Sequence, residues 1–325
     1  MDPVRMGVLG CAGIAQRRML PAMSADPAVE LVAVASRDAA KARATAARFR
    51  CRAVHGYAEL LAREDVDAVY VPLPAALHAT WVRAALDAGK HVLAEKPLTT
   101  DHAVTEGLIA RAAAARLALM ENVMFVHHPQ HAAVRRLLAD GTIGELRLLI
   151  SAFAIPRLPD DDIRHDPELG GGALWDTGVY PVRAALYFLG QELRVEGASL
   201  VKGAGEAVDT AGTALLSTPR GVAAQLSFGI DHGYRSAYEL WGSEGRISVE
   251  RAFTPAADHA PRIRIERGTR TEDIQLAPDD QVARTVRAFV DAVHAGAAPN
   301  EASLHQAALL HAVRRRATTA DLDRP

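Results

Sequence analysis

A turn of small residues decides how the start of this chain can fold. It reads Gly10-Cys11-Ala12-Gly13-Ile14-Ala15 and directly follows the apolar run Met6–Leu9. A strand that ends in such a turn and leads into a helix aims backbone N–H groups and the helix N-terminus at one spot, where a pyrophosphate can bind. Ala12 stands where glycine usually allows the closest backbone approach. The turn predicts a dinucleotide site, and a turn that serves only packing is the alternative.

Short apolar runs and helical patterns alternate through the first third of the chain. After Met6–Leu9 the apolar runs are Leu31–Ala35, Ala68–Pro72, His91–Ala94 and Ala118–Met120. The segments between them predict helices over Ala39–Phe49, Ala76–Ala88 and Asp101–Ala115, the last with Asp101 as N-cap. Right-handed crossovers then give a doubly wound parallel sheet. We predict an α/β protein with an N-terminal Rossmann domain over residues 1–122.

After Asn122 the chain changes to alternating or wholly apolar runs. They predict the strands of an open, mostly antiparallel sheet: Leu146–Ile155, Ala211–Ser217, Val222–Phe228, Ala237–Trp241 and Arg246–Val249. The turn residues Thr218-Pro219-Arg220-Gly221 predict a hairpin between two of these strands. The pattern is that of an α+β domain over residues 123–325.

Helical patterns in this second half follow loops of distinctive composition. An apolar helix is expected over Ala173–Phe188, after the Pro- and Asp-rich loop Arg157–Glu168 and the run Gly170-Gly171-Gly172. The glycine run can bind a diphosphate through its N–H groups or only allow a flexible entry to the helix. Apolar residues at helical spacing predict another helix behind Asp279 and Asp280: Val282, Val286, Phe289, Val290 and Val293. The division leaves room for the C-terminal helices to pack back on the first domain.

Composition excludes several classes of protein. The 325 residues are 49% apolar and 23% charged, with a formal net charge of -2, so neither disorder nor a basic surface for nucleic acid is expected. No apolar run approaches the roughly 20 residues of a membrane span. The two cysteines, Cys11 and Cys51, and the absence of a signal-peptide pattern predict a reducing, cytoplasmic location.

The residues after the second predicted strand bear on the choice of dinucleotide. An Asp or Glu at that point binds the ribose 2'-hydroxyl of NAD, but here the chain reads Ser36-Arg37. A hydroxyl and a guanidinium suit a 2'-phosphate, with Lys41 as a further charge, so the sequence favours NADP(H). The alternative is that Ser36 caps the next helix and Arg37 is solvated. The neighbouring Asp38 keeps both open.

Three further side chains carry proton chemistry. Lys96, in Glu95-Lys96-Pro97, follows the strand His91–Ala94 and therefore lies at the carboxyl edge of the sheet, where ligands bind. Asp176 and Tyr180 lie one turn apart in a predicted helix, so a carboxylate and a phenol can project together. A nearby ammonium lowers the pKa of a phenol and makes it a better proton donor. Taken alone, such an aspartate and tyrosine are more often a charge at a helix N-terminus and a half-buried core aromatic.

With these residues in place, the chain resembles the family of glucose-fructose oxidoreductase, inositol dehydrogenase and rhizopine catabolism proteins. The motifs that carry the resemblance are Gly10 to Ala15, Val71-Pro72-Leu73-Pro74 with Leu77-His78, Glu95-Lys96-Pro97, and Asp176 to Tyr180. The resemblance implies that Lys96 is the central active-site lysine and that Glu95-Lys96-Pro97 contacts the nicotinamide half. It implies that Pro72, Leu73, Pro74, Leu77 and His78 line the cofactor cleft and that Asn122 lies near the nicotinamide. The second domain then binds substrate, and its open sheet forms the contact of a homodimer or homotetramer.

Tyr180 stands where many members of that family have histidine. Tyrosine there is typical of the glucose-fructose oxidoreductase, dihydrodiol dehydrogenase and sugar-nucleotide ketoreductase branches. Within these branches, three segments resemble NADPH-dependent 3-ketoreductases: Leu93–Thr100, Met120–Asn122 with His127–His131, and Gly170–Arg183. Such enzymes reduce a nucleotide-linked 3-keto-deoxyhexose, usually carried by thymidine diphosphate, during antibiotic sugar assembly. This resemblance implies that Tyr180 donates the proton, that Lys96 stabilises the oxyanion and that Asp176 orients the sugar or the lysine. Arg164 and Tyr234 are expected to contact the substrate, Arg164 through a phosphate of the sugar nucleotide or of the cofactor.

Two other functions stay open. One is an NADP-dependent sugar, polyol or dihydrodiol dehydrogenase, which only substrate trials separate from a ketoreductase. The other is a silent NADP-sensing regulator, against which Lys96 and Tyr180 argue because a sensor needs no proton donor. His127, His128 and His131 lack the Cys or carboxylate that would complete a metal site, so no metal is expected.

Overall fold

The strand and helix alternation folds as predicted into a parallel sheet, which has six strands because Arg52–His55 adds one to the five predicted apolar runs. The structure, a computed structural model, describes residues 2–298 and 300–321. The order across the sheet is third, second, first, fourth, fifth, sixth, which is the Rossmann order, and ligands bind such sheets at the carboxyl edge where the order reverses. The strands are β1 (Val4–Leu9), β2 (Val29–Ser36), β3 (Arg52–His55), β4 (Ala68–Val71), β5 (His91–Glu95) and β6 (Leu119–Asn122).

Helices connect these strands. The first connection opens with a π-helical segment, Ala15–Met19, before it becomes α-helical. Asp101 caps the last of the connecting helices as predicted, because its side chain accepts the N–H of Val104 at 3.0 Å. The helices are α1 (Leu20–Ala25), α2 (Ala39–Phe49), α3 (Tyr57–Leu61), α4 (Ala75–Asp87) and α5 (His102–Ala115).

The second half builds a sheet of nine strands. They are β7 (Leu146–Ala154), β8 (Arg194–Lys202), β9 (Ala211–Ser217), β10 (Ala223–Gly229), β11 (Arg235–Gly242), β12 (Arg246–Glu250), β13 (Arg262–Arg267), β14 (Arg270–Gln275) and β15 (Ala317–Asp321). Their order is β14-β13-β12-β11-β7-β10-β9-β8-β15. Most neighbours are antiparallel, including the predicted hairpin of β9 and β10. The pairs β7 with β10 and β8 with β15 are parallel, so the sheet is mixed.

Five helices accompany or follow this sheet within the described residues. They are α6 (Pro129–Ala139), α7 (Ala173–Asp176), α8 (Val179–Leu189), α9 (Gln281–Ala295) and α10 (Glu301–Arg316). Short 3-10 turns lie at Met124–His127, Ile163–His165 and Pro167–Leu169. No helix in the described part of the chain is long and apolar enough to cross a membrane.

The described residues form two compact units, one of residues 2–124 and 281–304 and one of residues 125–280 and 305–321. The units are therefore not the two continuous segments 1–122 and 123–325. Helix α9 belongs to the first unit because Val282, Val286 and Phe289 are buried in one apolar cluster with Val4 and Met6 of β1. The apolar stripe of this helix thus completes the core beneath the parallel sheet.

Candidate active site

The glycine-rich turn leaves β1 at the carboxyl edge of the parallel sheet. Gly10 has φ +124°, and a Cβ there would come within 3.0 Å of the Leu73 side chain, so only glycine fits the turn. The amide of Gly10 donates to Ala35 O at 2.9 Å, which ties the turn to β2. The guanidinium of Arg17 lies 2.9 Å from the position of a Cβ on Gly13. A bare backbone with a cation beside it suits a pyrophosphate.

The residues after β2 leave a hydroxyl and a guanidinium for a 2'-phosphate. Asp38 caps α2: its Oδ1 accepts the amides of Ala40 at 2.8 Å and Lys41 at 3.2 Å, and these bonds lower the pKa of its carboxyl. Ser36, the alternative cap, instead accepts the amide of Asp38 on its Oγ at 3.1 Å. The exposed Arg37 donates to the hydroxyl of the buried Tyr57. With its acidic neighbour engaged by the helix, this corner fits NADP(H).

The segment after β4 holds the predicted cleft residues. Pro72 and Leu73 face the glycine-rich turn, Pro74 precedes α4, and Leu77 donates its amide to Pro74 O at 2.9 Å in the first turn of that helix. His78 is fully buried. Its Nδ1 lies 2.8 Å from Pro97 O and its Nε2 lies 2.8 Å from Leu73 O. The imidazole therefore joins the segment after β4 to the segment after β5.

Lys96 lies in a turn that follows β5, residues Glu95–Leu98, which we call the lysine turn. The Lys96–Pro97 peptide bond is cis. Glu95 Oε1 accepts two short hydrogen bonds, from the Tyr70 hydroxyl at 2.6 Å and from Asn122 Nδ2 at 2.6 Å. Burial, reinforced by the charge of Glu95, raises the pKa of Tyr70 well above its usual value, so it stays a donor. Tyr70 and Asn122 thus fix the side chain of Glu95, the residue directly before Lys96.

In the second unit, the helix predicted over Ala173–Phe188 is broken, and that prediction is wrong. Helix α7 ends at Asp176 and α8 begins at Val179. Ala173 O accepts three bonds, from Thr177 N at 2.9 Å, Thr177 Oγ1 at 3.0 Å and Gly178 N at 2.8 Å. Since the amide of Gly178 skips its regular acceptor, the ladder slips by one residue. Asp176 and Tyr180 therefore lie on either side of a break and not one turn apart on one helix.

Arg164 and Asp176 form an ion pair. Arg164 Nε donates to Asp176 Oδ2 at 2.6 Å, and its Nη1 donates to Asp162 Oδ1 at 3.0 Å. Burial works against the charged guanidinium, but the two carboxylates outweigh it and raise the pKa of Arg164. A phosphate at this guanidinium would also face both carboxylates, so the geometry favours Arg164 as a partner of Asp176 over a diphosphate ligand.

Tyr180 packs its ring among aromatic side chains. Its ring centroid lies 4.4 Å from that of Phe153, 5.7 Å from that of Phe253 and 6.2 Å from that of Phe125. Tyr180 is half-buried, so its ring packs on apolar side chains while part of the residue stays accessible to solvent.

Tyr234 lies in the loop between β10 and β11. It is 47% exposed, and its hydroxyl is 3.1 Å from Thr254 Oγ1.

The three histidines near α6 have packing contacts. His128 caps α6, since its Nδ1 accepts the amide of Gln130 at 3.1 Å. His131 is fully buried between the Tyr238 hydroxyl and Ala252 O, each 3.0 Å away. Burial lowers the pKa of His131 to about 3 and that of His127 to about 4. Across the residues that the structure describes, no group of three or more His, Cys, Asp or Glu could hold a metal ion.

Two residues of this region, Tyr70 and Arg17, were not predicted from the sequence. Tyr70 lies in the apolar run of β4, where a tyrosine has the pattern of a core aromatic. Arg17 stands four residues after Gly13 in a helical segment, where an arginine has the pattern of a solvated surface. Only the spacing of Arg17 from the glycine-rich turn, one helical turn, was available as a signal.

The Rossmann sheet, its glycine-rich turn and a second unit that presents a phenol and an ion pair define a dinucleotide-dependent oxidoreductase. Residues 4–123 match the family described as "Oxidoreductase family, NAD-binding Rossmann fold", and residues 131–248 match the "GFO/IDH/MocA C-terminal domain". The chain belongs to the GFO/IDH/MocA oxidoreductase family, as its motifs predicted, and its first domain is an NAD(P)-binding Rossmann domain.

Similar proteins reduce sugar ketones or oxidise sugars. The chain is 52% identical over 320 residues to a dTDP-3,4-didehydro-2,6-dideoxy-alpha-D-glucose 3-reductase of Saccharopolyspora spinosa, covering 96% of each chain. A 3-ketoreductase of Actinomadura kijaniata, solved with NADP and TDP-benzene, is 50% identical with a TM-score of 0.96 over 100% of both chains. That enzyme has also been solved with a lysine or a tyrosine replaced. A D-xylose 1-dehydrogenase (NADP(+)) of Haloferax volcanii is 38% identical over 90% of each chain.

Proposed function

We propose that this protein uses NADPH to reduce the C3 ketone of a dTDP-linked 3-keto-deoxyhexose. The observation that carries the proposal is the full-length similarity to a 3-ketoreductase that binds NADP and a TDP ligand. The sugar nucleotide of the Saccharopolyspora spinosa relative, a 2,6-dideoxyhexose, is the substrate we would try first.

The cofactor is held by residues of the first unit. The glycine-rich turn, Gly10 to Ala15, offers backbone N–H groups to the pyrophosphate, and Arg17 adds a charge. Ser36, Arg37 and Lys41 bind the 2'-phosphate, because Asp38 turns its carboxylate to the amides of α2. When bound, NADPH supplies the hydride that adds to the C3 carbon.

The remaining chemistry is a proton transfer and the stabilisation of charge. Tyr180 donates its phenolic proton to the C3 oxygen, and the Lys96 ammonium stabilises the negative charge that develops on that oxygen. Asp176 orients the bound sugar nucleotide. The hydrogen bond from Arg164 Nε to Asp176 Oδ2 holds this carboxylate in place.

The sheet and the cysteines support two further parts of the proposal. The outer face of the nine-stranded sheet exposes Leu215 and Trp241, which favours a homodimer or homotetramer built on that face. Light scattering on the purified protein tests this.

The thiols of Cys11 and Cys51 are both free, which fits a reducing cytoplasm.

A dehydrogenase that oxidises a free sugar is the second candidate, and the similarity to a D-xylose 1-dehydrogenase favours it. The deciding experiment mixes the purified protein with NADPH and a dTDP-3-keto-deoxysugar that its dehydratase forms in place, and follows absorbance at the nicotinamide band. Oxidation of NADPH that needs both protein and ketosugar supports the proposal. Reduction of NADP by D-xylose, with no oxidation of NADPH by the ketosugar, would replace it with the dehydrogenase.

A further inference from the structure

The loop that joins β8 to β9 contacts the two segments that carry Arg164 and Asp176. We propose that Glu206, in this loop, is a positioning residue that holds Arg164 against Asp176 and so sets the affinity for the sugar. The inference rests on the proposed function in that it takes Asp176 as a sugar ligand. Neither the motifs nor the expected site residues include Glu206.

Glu206 binds both ends of the segment that carries Arg164. One oxygen, Oε1, pairs with Arg157 Nη1 at 2.6 Å, at the start of that segment. The other, Oε2, accepts from His165 Nδ1 at 3.1 Å, at the residue directly after Arg164. The side chains of Glu206 and His165 are each only 8% exposed, so their hydrogen bond is little screened by salt, whereas Arg157 is 41% exposed. A single carboxylate therefore closes residues 157–165 into a loop of fixed size.

The same connection also holds the helix that carries Asp176. Asp209 O accepts the amide of Ala173 at 2.7 Å, and Asp209 Oδ2 accepts the amide of Leu174 at 2.7 Å. Both amides belong to the first turn of α7, which ends at Asp176. Arg164 and Asp176 are thus attached to one short stretch of chain, three residues apart, by Glu206 and Asp209.

Gly171 and Gly172, between Arg164 and α7, pack closely against their neighbours. Gly172 donates its amide to Arg164 O at 2.9 Å. A Cβ on Gly171 would lie 2.5 Å from Arg164 O, and one on Gly172 would lie 2.6 Å from Asp209 Oδ1. Because the backbones touch, a shift of the segment that carries Arg164 moves the guanidinium relative to Asp176. Glu206 opposes such a shift from both ends of residues 157–165, in addition to the contacts of Arg157 with Asp231 and of Arg164 with Asp162.

The first test measures the segment itself and needs no substrate. Glu206→Gln keeps the size of the side chain but removes its charge, and hydrogen bonds to a charged group are the stronger ones. We expect hydrogen exchange of the Gly171 and Gly172 amides to speed up about tenfold. Glu196→Gln is the matched control, because Glu196 also pairs with an arginine, Arg194, but lies exposed on β8. Unchanged exchange in Glu206→Gln overturns the proposal.

The second test is kinetic. Glu206→Gln should raise the KM for the ketosugar about tenfold and change kcat and the Kd for NADPH by less than about twofold. In an Asp176→Asn background the same substitution should raise KM by less than about twofold, since its effect passes through the pair. An equal rise in both backgrounds overturns the proposal. Arg157→Gln, which removes only one of the two partners, should give a smaller rise and serves if Glu206→Gln does not fold.

The two failures are distinguishable. A wild-type protein that leaves NADPH unoxidised with the ketosugar refutes the proposed function, while the exchange measurement still tests whether Glu206 holds the segment. A wild-type protein that turns over, with Glu206→Gln indistinguishable from Glu196→Gln in exchange and in KM, refutes only the role of Glu206.

Discussion

Tyr70→Phe removes one buried hydroxyl beneath the lysine turn. In the wild type that hydroxyl donates to Glu95 Oε1 over 2.6 Å, and Tyr70 is 0% exposed. A hydrogen bond to a charged acceptor contributes about 1.5–3 kcal/mol, and Phe fills the same space as the tyrosine ring, so no cavity adds to the loss. We expect the free energy of unfolding of the first unit to fall by about 2 kcal/mol.

Differential scanning calorimetry measures this loss. For a unit of this size, 2 kcal/mol corresponds to a fall in Tm of about 4–8 °C. Tyr187→Phe, which truncates a half-buried tyrosine of the second unit, is the control and should shift Tm by no more than about 2 °C. The control separates loss of a buried, charged partner from loss of any tyrosine hydroxyl.

A double-mutant cycle tests the assigned cause. Glu95→Gln makes the acceptor neutral, so Tyr70→Phe in that background should cost only about 1 kcal/mol, the contribution of a neutral hydrogen bond. If Tyr70→Phe costs the same with Glu95 and with Gln at that position, the charge of Glu95 has no part in holding the lysine turn, and the reasoning is refuted.

Three further predictions concern cofactor, proton and acid. Arg37→Gln should weaken NADPH about tenfold or more and NADH less than about twofold in fluorescence titrations, and equal losses would undo the 2'-phosphate assignment. Tyr180→Phe should lower kcat about 100-fold or more with the Kd for NADPH unchanged, and unaltered turnover would remove Tyr180 from its role. Burial lowers the pKa of His131 to about 3 and of His127 to about 4, both below the ordinary 6.5. As the pH falls, His127 and His131 are therefore protonated at a higher pH in the unfolded chain than in the folded one. The stability is complete above about pH 6.5 and is lost below it by about 1.4 kcal/mol per pH unit for each histidine. Urea denaturation between about pH 7 and pH 5 measures the loss, and a flat profile would contradict it.

The parallel sheet was predictable because its signals are local. Five of the six strands of the first unit coincide with short apolar runs separated by helical patterns, so the parallel sheet follows from handedness rules. The strand β3, Arg52–His55, was missed because it is short and largely exposed and has no apolar run. The cap at Asp101 and the hairpin at Thr218–Gly221 were also local, and both are confirmed. The parallel pairing of β7 with β10 could not be predicted from local signals. The two strands are far apart in sequence, with 68 residues between Ala154 and Ala223, and no sequence pattern shows which strand a distant hairpin pairs with.

The break after Asp176 marks a different limit. Thr177 and Gly178 both have right-handed helical backbone angles, so nothing in their conformation announces an end. The ladder slips because the hydroxyl of Thr177 and the amide of Gly178 both turn to Ala173 O. Threonine can make this backbone bond in any helix, and usually the helix continues. The sequence therefore predicts the presence of Asp176 and Tyr180 in one segment but not the angle between them.

Two of the residues with expected chemistry have a neighbour that is held by a residue the sequence pattern does not distinguish. Lys96 follows Glu95, whose carboxylate is fixed by Tyr70, and Arg164 precedes His165, which Glu206 holds. Sequence motifs identify Lys96, Tyr180 and Asp176 because their positions relative to strands and turns are distinctive. The supporting tyrosine and glutamate act from 25 and 41 residues away and look like a core aromatic and a loop charge. Because binding and catalysis depend on how precisely such groups are positioned, we expect substitutions at Glu206 to change KM and substitutions at Tyr70 to change stability, whereas substitutions in the motifs change turnover or cofactor binding.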